Sequence, residues 1–144
     1  MPTLTLSQTI NRPASDVFDV LAEVANLAKW NPTITAARQI SPGEATNGTE
    51  FEMTVRGFGR VPQTLEEFDR NRRARYVPHF GAMSGGHRFV LTARGSQTQV
   101  DHELEMTPKG WFRIFTPVMG LMGRKNLRDT ADALKRYVES LPPR

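Results

Sequence analysis

The 144-residue sequence contains no cysteine. That excludes disulfides, thiol nucleophiles and cysteine metal sites. Aromatic residues make up only 8% of the chain, two of them tryptophans and two tyrosines. No apolar run approaches the roughly 20 residues needed to span a bilayer. Met1-Pro2-Thr3-Leu4 has neither a basic nor an apolar leader stretch, so no secretory signal is expected and the cytoplasm is the expected compartment. Only three histidines are present. The formal net charge is +4, too small on its own to indicate nucleic acid, and no nucleic-acid partner is expected.

What is present is an ordinary globular composition, 38% hydrophobic and 24% charged. Residues 1–144 are read as one domain, long enough to bury roughly two-thirds of the surface of its unfolded chain. The spacing predicts a long helix from Pro117 to Leu141. Leu127, Ala131, Leu134, Val138 and Leu141 step by four, three, four and three and so share one face. Thr116 is the expected N-cap, and Pro142-Pro143 stop the helix.

A helix this long needs a broad surface to bury its stripe. The preceding residues supply alternating strands. Thr3–Ile10 alternates, with Leu4, Leu6 and Ile10 on one face. Pro13 opens a short helix with Ala14, Val17, Phe18, Leu21 and Val24 as its stripe, and a second short helix covers about Asn26 to Trp30. Strands are predicted at 34–40, 50–56, 61–69, 74–80, 87–93 and 100–106. Leu65 and Phe68 disagree in parity, which predicts a bulge. Pro62 predicts a position near a sheet edge. Gly81 to Gly86 reads as a flexible connection. Gly95-Ser96 reads as a type II′ hairpin turn, pairing Arg94 with Gln97, Leu91 with Val100, Phe89 with His102 and Arg88 with Glu103. The order is one strand, two short helices, about six strands and one long helix, an α+β domain.

That order, with Ile10-Asn11-Arg12-Pro13-Ala14-Ser15-Asp16-Val17-Phe18-Asp19-Val20-Leu21, Leu27-Ala28-Lys29-Trp30-Asn31-Pro32, Gly48-Thr49 and Asp132-Ala133-Leu134-Lys135-Arg136-Tyr137-Val138-Glu139, resembles the helix-grip superfamily. Its START-related lipid-transfer domains, pathogenesis-related allergens and polyketide cyclases or dehydrases share the pattern, and the last three of these motifs resemble the bacterial polyketide cyclase/dehydrase branch. The resemblance implies a curved antiparallel sheet of about seven strands wrapped around the C-terminal helix. It implies a cavity for a small hydrophobic molecule such as a lipid, polyketide or quinone, held by a carrier or sensor. It also implies that some relatives catalyse cyclisation or dehydration, and it transfers no catalytic residue to this chain.

Several constellations carry the functional expectation. His87 and His102 form a diagonal pair on an inward sheet face. With Tyr76 they are the candidate acid–base groups, or polar groups that orient a ligand. The expected lining from the sheet is Phe51, Met53, Val55, Gln63, Leu65, Tyr76, His87, Phe89, Leu91, His102, Leu104 and Met106. Trp30 is added from the second short helix, and Phe115, Met119 and Met122 from the long helix. By pattern alone the same faces also fit a solid core. Methionine, which repacks around varied shapes, favours a pocket. Lys109-Gly110-Trp111-Phe112-Arg113-Ile114-Phe115 reads either as a portal in transient contact with a membrane or as a staple holding the helix to the sheet. Arg70, Arg72, Arg73 and Arg75 read as a solvated turn or as a protein-interaction patch. No cofactor and no metal are expected, and the chain is expected as a monomer or homodimer.

Overall fold

The computed structural model describes residues 3–79 and 83–142, the side chains of residues 83, 84, 108, 112 and 119 excepted. Seven strands form one antiparallel sheet: β1 (Thr3–Ile10), β2 (Ile34–Gln39), β3 (Glu50–Val55), β4 (Gly59–Asp69), β5 (Arg73–Pro78), β6 (Met83–Arg94) and β7 (Gln97–Pro108). Their order is β1-β7-β6-β5-β4-β3-β2. The sheet curves around a long C-terminal helix, α3 (Thr116–Ser140), with α1 (Ala14–Ala22) and α2 (Leu27–Trp30) inserted after the first strand. This is the helix-grip fold.

The β6–β7 hairpin has the register that its side chains demand. Arg94 faces Gln97, Leu91 faces Val100, Phe89 faces His102 and Arg88 faces Glu103. Gly95 takes the left-handed φ of 64° that a first turn position of this type needs. The two faces of the sheet are chemically opposite. The convex face carries Arg88, which pairs with Glu67 at 2.7 Å and Glu103 at 3.0 Å, while Arg75 reaches Glu105 at 3.2 Å. The concave face carries Phe51, Leu65, Tyr76, Phe89 and Val100, all buried. Alternation with period two puts each set on its own side.

The β4 bulge lies between Glu66 and Asp69, where Glu67 has φ 48°. It turns Phe68 onto Phe18 of α1, with ring centroids 4.9 Å apart. Pro62 is not near an edge: β4 lies between β3 and β5. The proline is tolerated because β5 ends at Pro78, and the His79 N–H still donates to the Pro62 carbonyl at 2.9 Å. Gly85 and Gly86 belong to β6 rather than to a connection. A side chain on Gly86 would come within 2.6 Å of the Tyr76 carbonyl oxygen, so glycine here permits close backbone approach. Phe80, Gly81 and Ala82, expected as a strand end and the start of that connection, lie outside the described residues.

α3 matches its expected span to within a residue, but Thr116 is not its cap. A 3₁₀ turn (Gly110–Phe115) feeds directly into α3. Thr116 already has helical φ and ψ, and its hydroxyl donates back to the Arg113 carbonyl at 2.7 Å. Leu127, Ala131, Leu134 and Val138 are buried. The first turns are not: Val118, Leu121 and Met122 are exposed. α3 is therefore packed along its second half, whereas along its first turns the apolar side chains face outward until the buried Gly123 meets Leu4 and Met106 of the sheet.

Candidate functional site

The space beneath the first half of α3 is a cavity of about 380 Å³. Strand alternation supplies its sheet wall: Met53 and Val55 from β3, Val61 and Gln63 from β4, Tyr76 and Pro78 from β5, His87 and Phe89 from β6, and Leu104 and Met106 from β7. Leu27, Asn31, Thr33 and Ile34 close one end, and Met122, Gly123 and Asn126 of α3 close the top. The wall is largely apolar, and Phe58 and Met122 stand exposed at its mouth. A wall of this kind suits a small hydrophobic molecule, oriented by few polar groups.

Of the residues expected to line the site, Met53, Val55, Gln63, Tyr76, His87, Phe89, Leu104, Met106 and Met122 meet at this cavity. The others do not. Phe51 and Leu65 share the concave face but are fully buried in the main core, Phe51 with its ring edge-on to Tyr76 at 5.4 Å. Leu91 lies further along β6, beside a separate surface depression formed with Ala14 and residues 69–73. Trp30 is buried in the core at the end of α2. Phe115 is carried outward by the 3₁₀ turn and is exposed. His102 is fully buried behind His87. The Met119 side chain lies outside the described residues. Val61 was legible, since it alternates with Gln63. Leu27, at the start of α2, and Asn31 and Thr33, just after it, were not, because nothing in their spacing says that this segment folds back over the sheet.

The polar groups form a connected line. Tyr76 and His87 are direct cross-strand partners. The Tyr76 hydroxyl donates to the Leu21 carbonyl at 2.6 Å, and burial raises its pKa far above the ordinary range. His87 Nε2 lies 3.3 Å from His102 Nδ1. His102 Nε2 lies 2.5 Å from Gln8 Oε1 on edge strand β1, and Gln8 Nε2 donates to the Ala131 carbonyl of α3 at 3.0 Å. Burial, helped by the neighbouring imidazole, pushes His87 down to about 3. Burial also pushes His102 down to about 4, against the opposing pull of Asp101. Both rings are neutral at neutral pH. Gln63 is buried on the cavity wall and makes no side-chain hydrogen bond among the described residues.

Outside the cavity, Trp111 and Ile114 are 65% and 72% exposed, so these two side chains do not staple the helix to the sheet. The arginine turn is partly neutralised: Arg70 pairs with Asp19 at 3.2 Å, and Arg73 and Arg75 lie 3.7 Å and 3.5 Å from Glu67. Among the described residues, no group of three or more His, Asp or Glu side chains is placed to hold a metal ion, and no helix is long and apolar enough to cross a membrane.

Solved structures share this architecture at low sequence identity. A START superfamily protein from Mycobacterium smegmatis is 15% identical, with a TM-score of 0.74 over 97% of this chain and 99% of its own. Norcoclaurine synthase from Thalictrum flavum, in complex with dopamine and hydroxybenzaldehyde, is 15% identical with a TM-score of 0.74, covering 99% of this chain and 89% of its own. The Zhui aromatase/cyclase from Streptomyces sp. R1128 is 15% identical with a TM-score of 0.72, covering 96% and 93%. Among curated proteins, none matches the sequence. Residues 1–139 match the family model described as polyketide cyclase/dehydrase and lipid transport, and the chain belongs to that family.

Proposed function

We propose that this protein binds a small hydrophobic molecule between the concave sheet and the first half of α3, and acts as a carrier or sensor. The observation that carries this is the 380 Å³ cavity with its largely apolar wall, lined from both the sheet and α3. Burial of apolar ligand surface there contributes about 25 cal/mol per Å². Gln63 and His87 supply the orienting polar contacts.

The rival reading is a cyclase or dehydrase using His87, His102 and Tyr76 as acid and base. The electrostatics favour binding over that reading. A histidine held near 3 or 4 is not protonated at neutral pH and is a weak base there. Tyr76 has committed its proton to a backbone carbonyl. A protein-interaction role for the arginine turn is disfavoured by the ion pairs Arg70, Arg73 and Arg75 already make.

The exposed side chains Trp111, Ile114, Val118 and Leu121 lie beside the cavity mouth in sequence, flanked by Lys109, Arg113, Arg124 and Lys125. We infer that this apolar and cationic surface touches an anionic membrane while ligand enters. The expected contact through Trp111-Phe112 rests here on Trp111, since the Phe112 side chain lies outside the described residues.

Native mass spectrometry with extraction of any co-purified molecule tests the binding reading. One hydrophobic molecule per chain is the expected result. An empty protein that also gains no thermal stability from a panel of lipids, quinones and aromatic polyketides overturns it.

A further inference from the structure

The line of hydrogen bonds behind His87 fixes where each proton sits. It starts from a backbone carbonyl, which can only accept. Gln8 Nε2 donates to the Ala131 carbonyl, so the amide orientation is set and Oε1 faces His102 as an acceptor. His102 Nε2 must therefore carry its proton. A neutral imidazole with a proton on Nε2 has a bare Nδ1. That atom accepts from His87 Nε2, so His87 also carries its single proton on Nε2. His87 Nδ1 is left with a lone pair and has no partner among the described residues. The ring is held by stacking on Phe89, with centroids 4.1 Å apart and planes 12° from parallel.

We propose that His87 is an acceptor-only contact whose tautomer is set by Gln8 through His102, so that the cavity selects ligands presenting a hydroxyl donor, phenol or enol, over those presenting a carbonyl or ether oxygen. This rests on the binding reading above. Tyr76, directly across from His87, does not offset the selection, because its proton is spent on Leu21. Gln63 can donate or accept and so discriminates neither way. A carbonyl placed against His87 meets a lone pair with no hydrogen between them, and both acceptors stay unsatisfied. Sites built to pair with a hydroxyl reject analogues that lack it for the same reason. Gln8 acts through two side chains and is a positioning residue.

The test compares 2-naphthol with 2-methoxynaphthalene, a pair differing in one donor, by titration calorimetry on the intact protein, alongside ¹⁵N spectra of the imidazoles. The expected result is about fivefold to tenfold tighter binding of 2-naphthol, the worth of one net hydrogen bond. The spectra should show both His87 and His102 protonated on Nε2. In Gln8→Leu the preference should fall towards unity while the ether still binds. His87→Phe, which keeps an aromatic ring on Phe89, should do the same if Gln8→Leu folds poorly. A proton on His87 Nδ1, or equal binding of the two probes by the unaltered protein, overturns this inference and leaves the binding reading standing. If neither probe binds, this inference falls, and the binding reading is decided separately by the extraction and ligand panel above.

Discussion

His87 and His102 stand on adjacent strands with their ring centroids 5.5 Å apart and their planes tilted by 57°. Both are uncharged in the folded chain, and each takes up a proton near its ordinary pKa of about 6.5 once unfolded. Below that pH the unfolded chain binds more protons than the folded one, so stability falls as pH falls. The contribution is fully present above about pH 7 and is lost on descent towards the folded values near 4 and 3. The slope is on the order of 1 kcal/mol per pH unit for each histidine. Glu67 and Glu139 are held below the ordinary carboxylate value of 4.5 and add loss only at lower pH. Urea midpoints between pH 7 and pH 5 therefore isolate the histidines. His87→Gln should remove about half the slope, and an unchanged slope contradicts the buried neutral pair.

Gly120 and Gly123 are about one helical turn apart on α3 and should respond differently to alanine. A Cβ on Gly120 meets nothing within 4 Å, so Gly120→Ala should stabilise by up to about 1 kcal/mol through helix propensity. A Cβ on Gly123 runs into Met106 Cε and comes within 2.9 Å of Leu4 Cδ1. Met106 is flexible and borders the cavity, so it swings inward. Gly123→Ala should leave melting within a few degrees and weaken binding of a bulky ligand severalfold. Calorimetry with 2-naphthol and a larger polyaromatic phenol would show the difference growing with ligand size.

The convex ion cluster should be cooperative. Arg88 meets Glu67, Glu103 and Glu105, and their side chains are 23–32% exposed. Hydrogen bonding from Arg88 is the main cause of the lowered Glu67 carboxyl. Arg88→Met should cost about 1 kcal/mol, since one cation is shared among several half-buried carboxylates. A double-mutant cycle with Glu67→Gln should give a coupling of similar size. Additive losses would mean the cluster is only a solvated surface.

Leu121 is 69% exposed and lies on the overhanging part of α3. Leu121→Asp should leave the melting temperature unchanged. It should cut binding to vesicles containing phosphatidylserine by several-fold, as should raising the salt. Trp111 emission should shift to shorter wavelength on such vesicles and not on neutral ones. Equal response to both vesicle types argues against a charge-assisted membrane contact.

Much of this molecule was legible because its patterns are local. The β6–β7 register followed from a two-residue turn and three agreeing side-chain pairs, and the packed half of α3 from its four-three spacing. The bulge showed as a break in parity. What was not legible depends on where elements lie in three dimensions. Pro62 looked like an edge residue because the sequence does not say which strands flank β4. Trp30, Phe51 and Leu65 have the same apolar signature as true cavity residues, and only the distance between sheet and helix separates them. Gln8 shares the parity of Leu4, Leu6 and Ile10, but nothing in the sequence says that its amide would meet His102 on one side and α3 on the other.

The uneven seating of α3 divides the work of recognition. Leu127 to Val138 are clamped to the core, whereas residues 116–122 form a more exposed overhang that ends at Gly123, buried against Met106 and Leu4. Amide exchange should be slow over the clamped stretch and fast over the overhang. The sheet side, with His87 braced from behind, sets which functional group a guest must present. The α3 side, through Met122 and Gly123, bounds how large the guest can be. Chemical strictness and tolerance of size therefore reside in opposite walls of one cavity and can change independently.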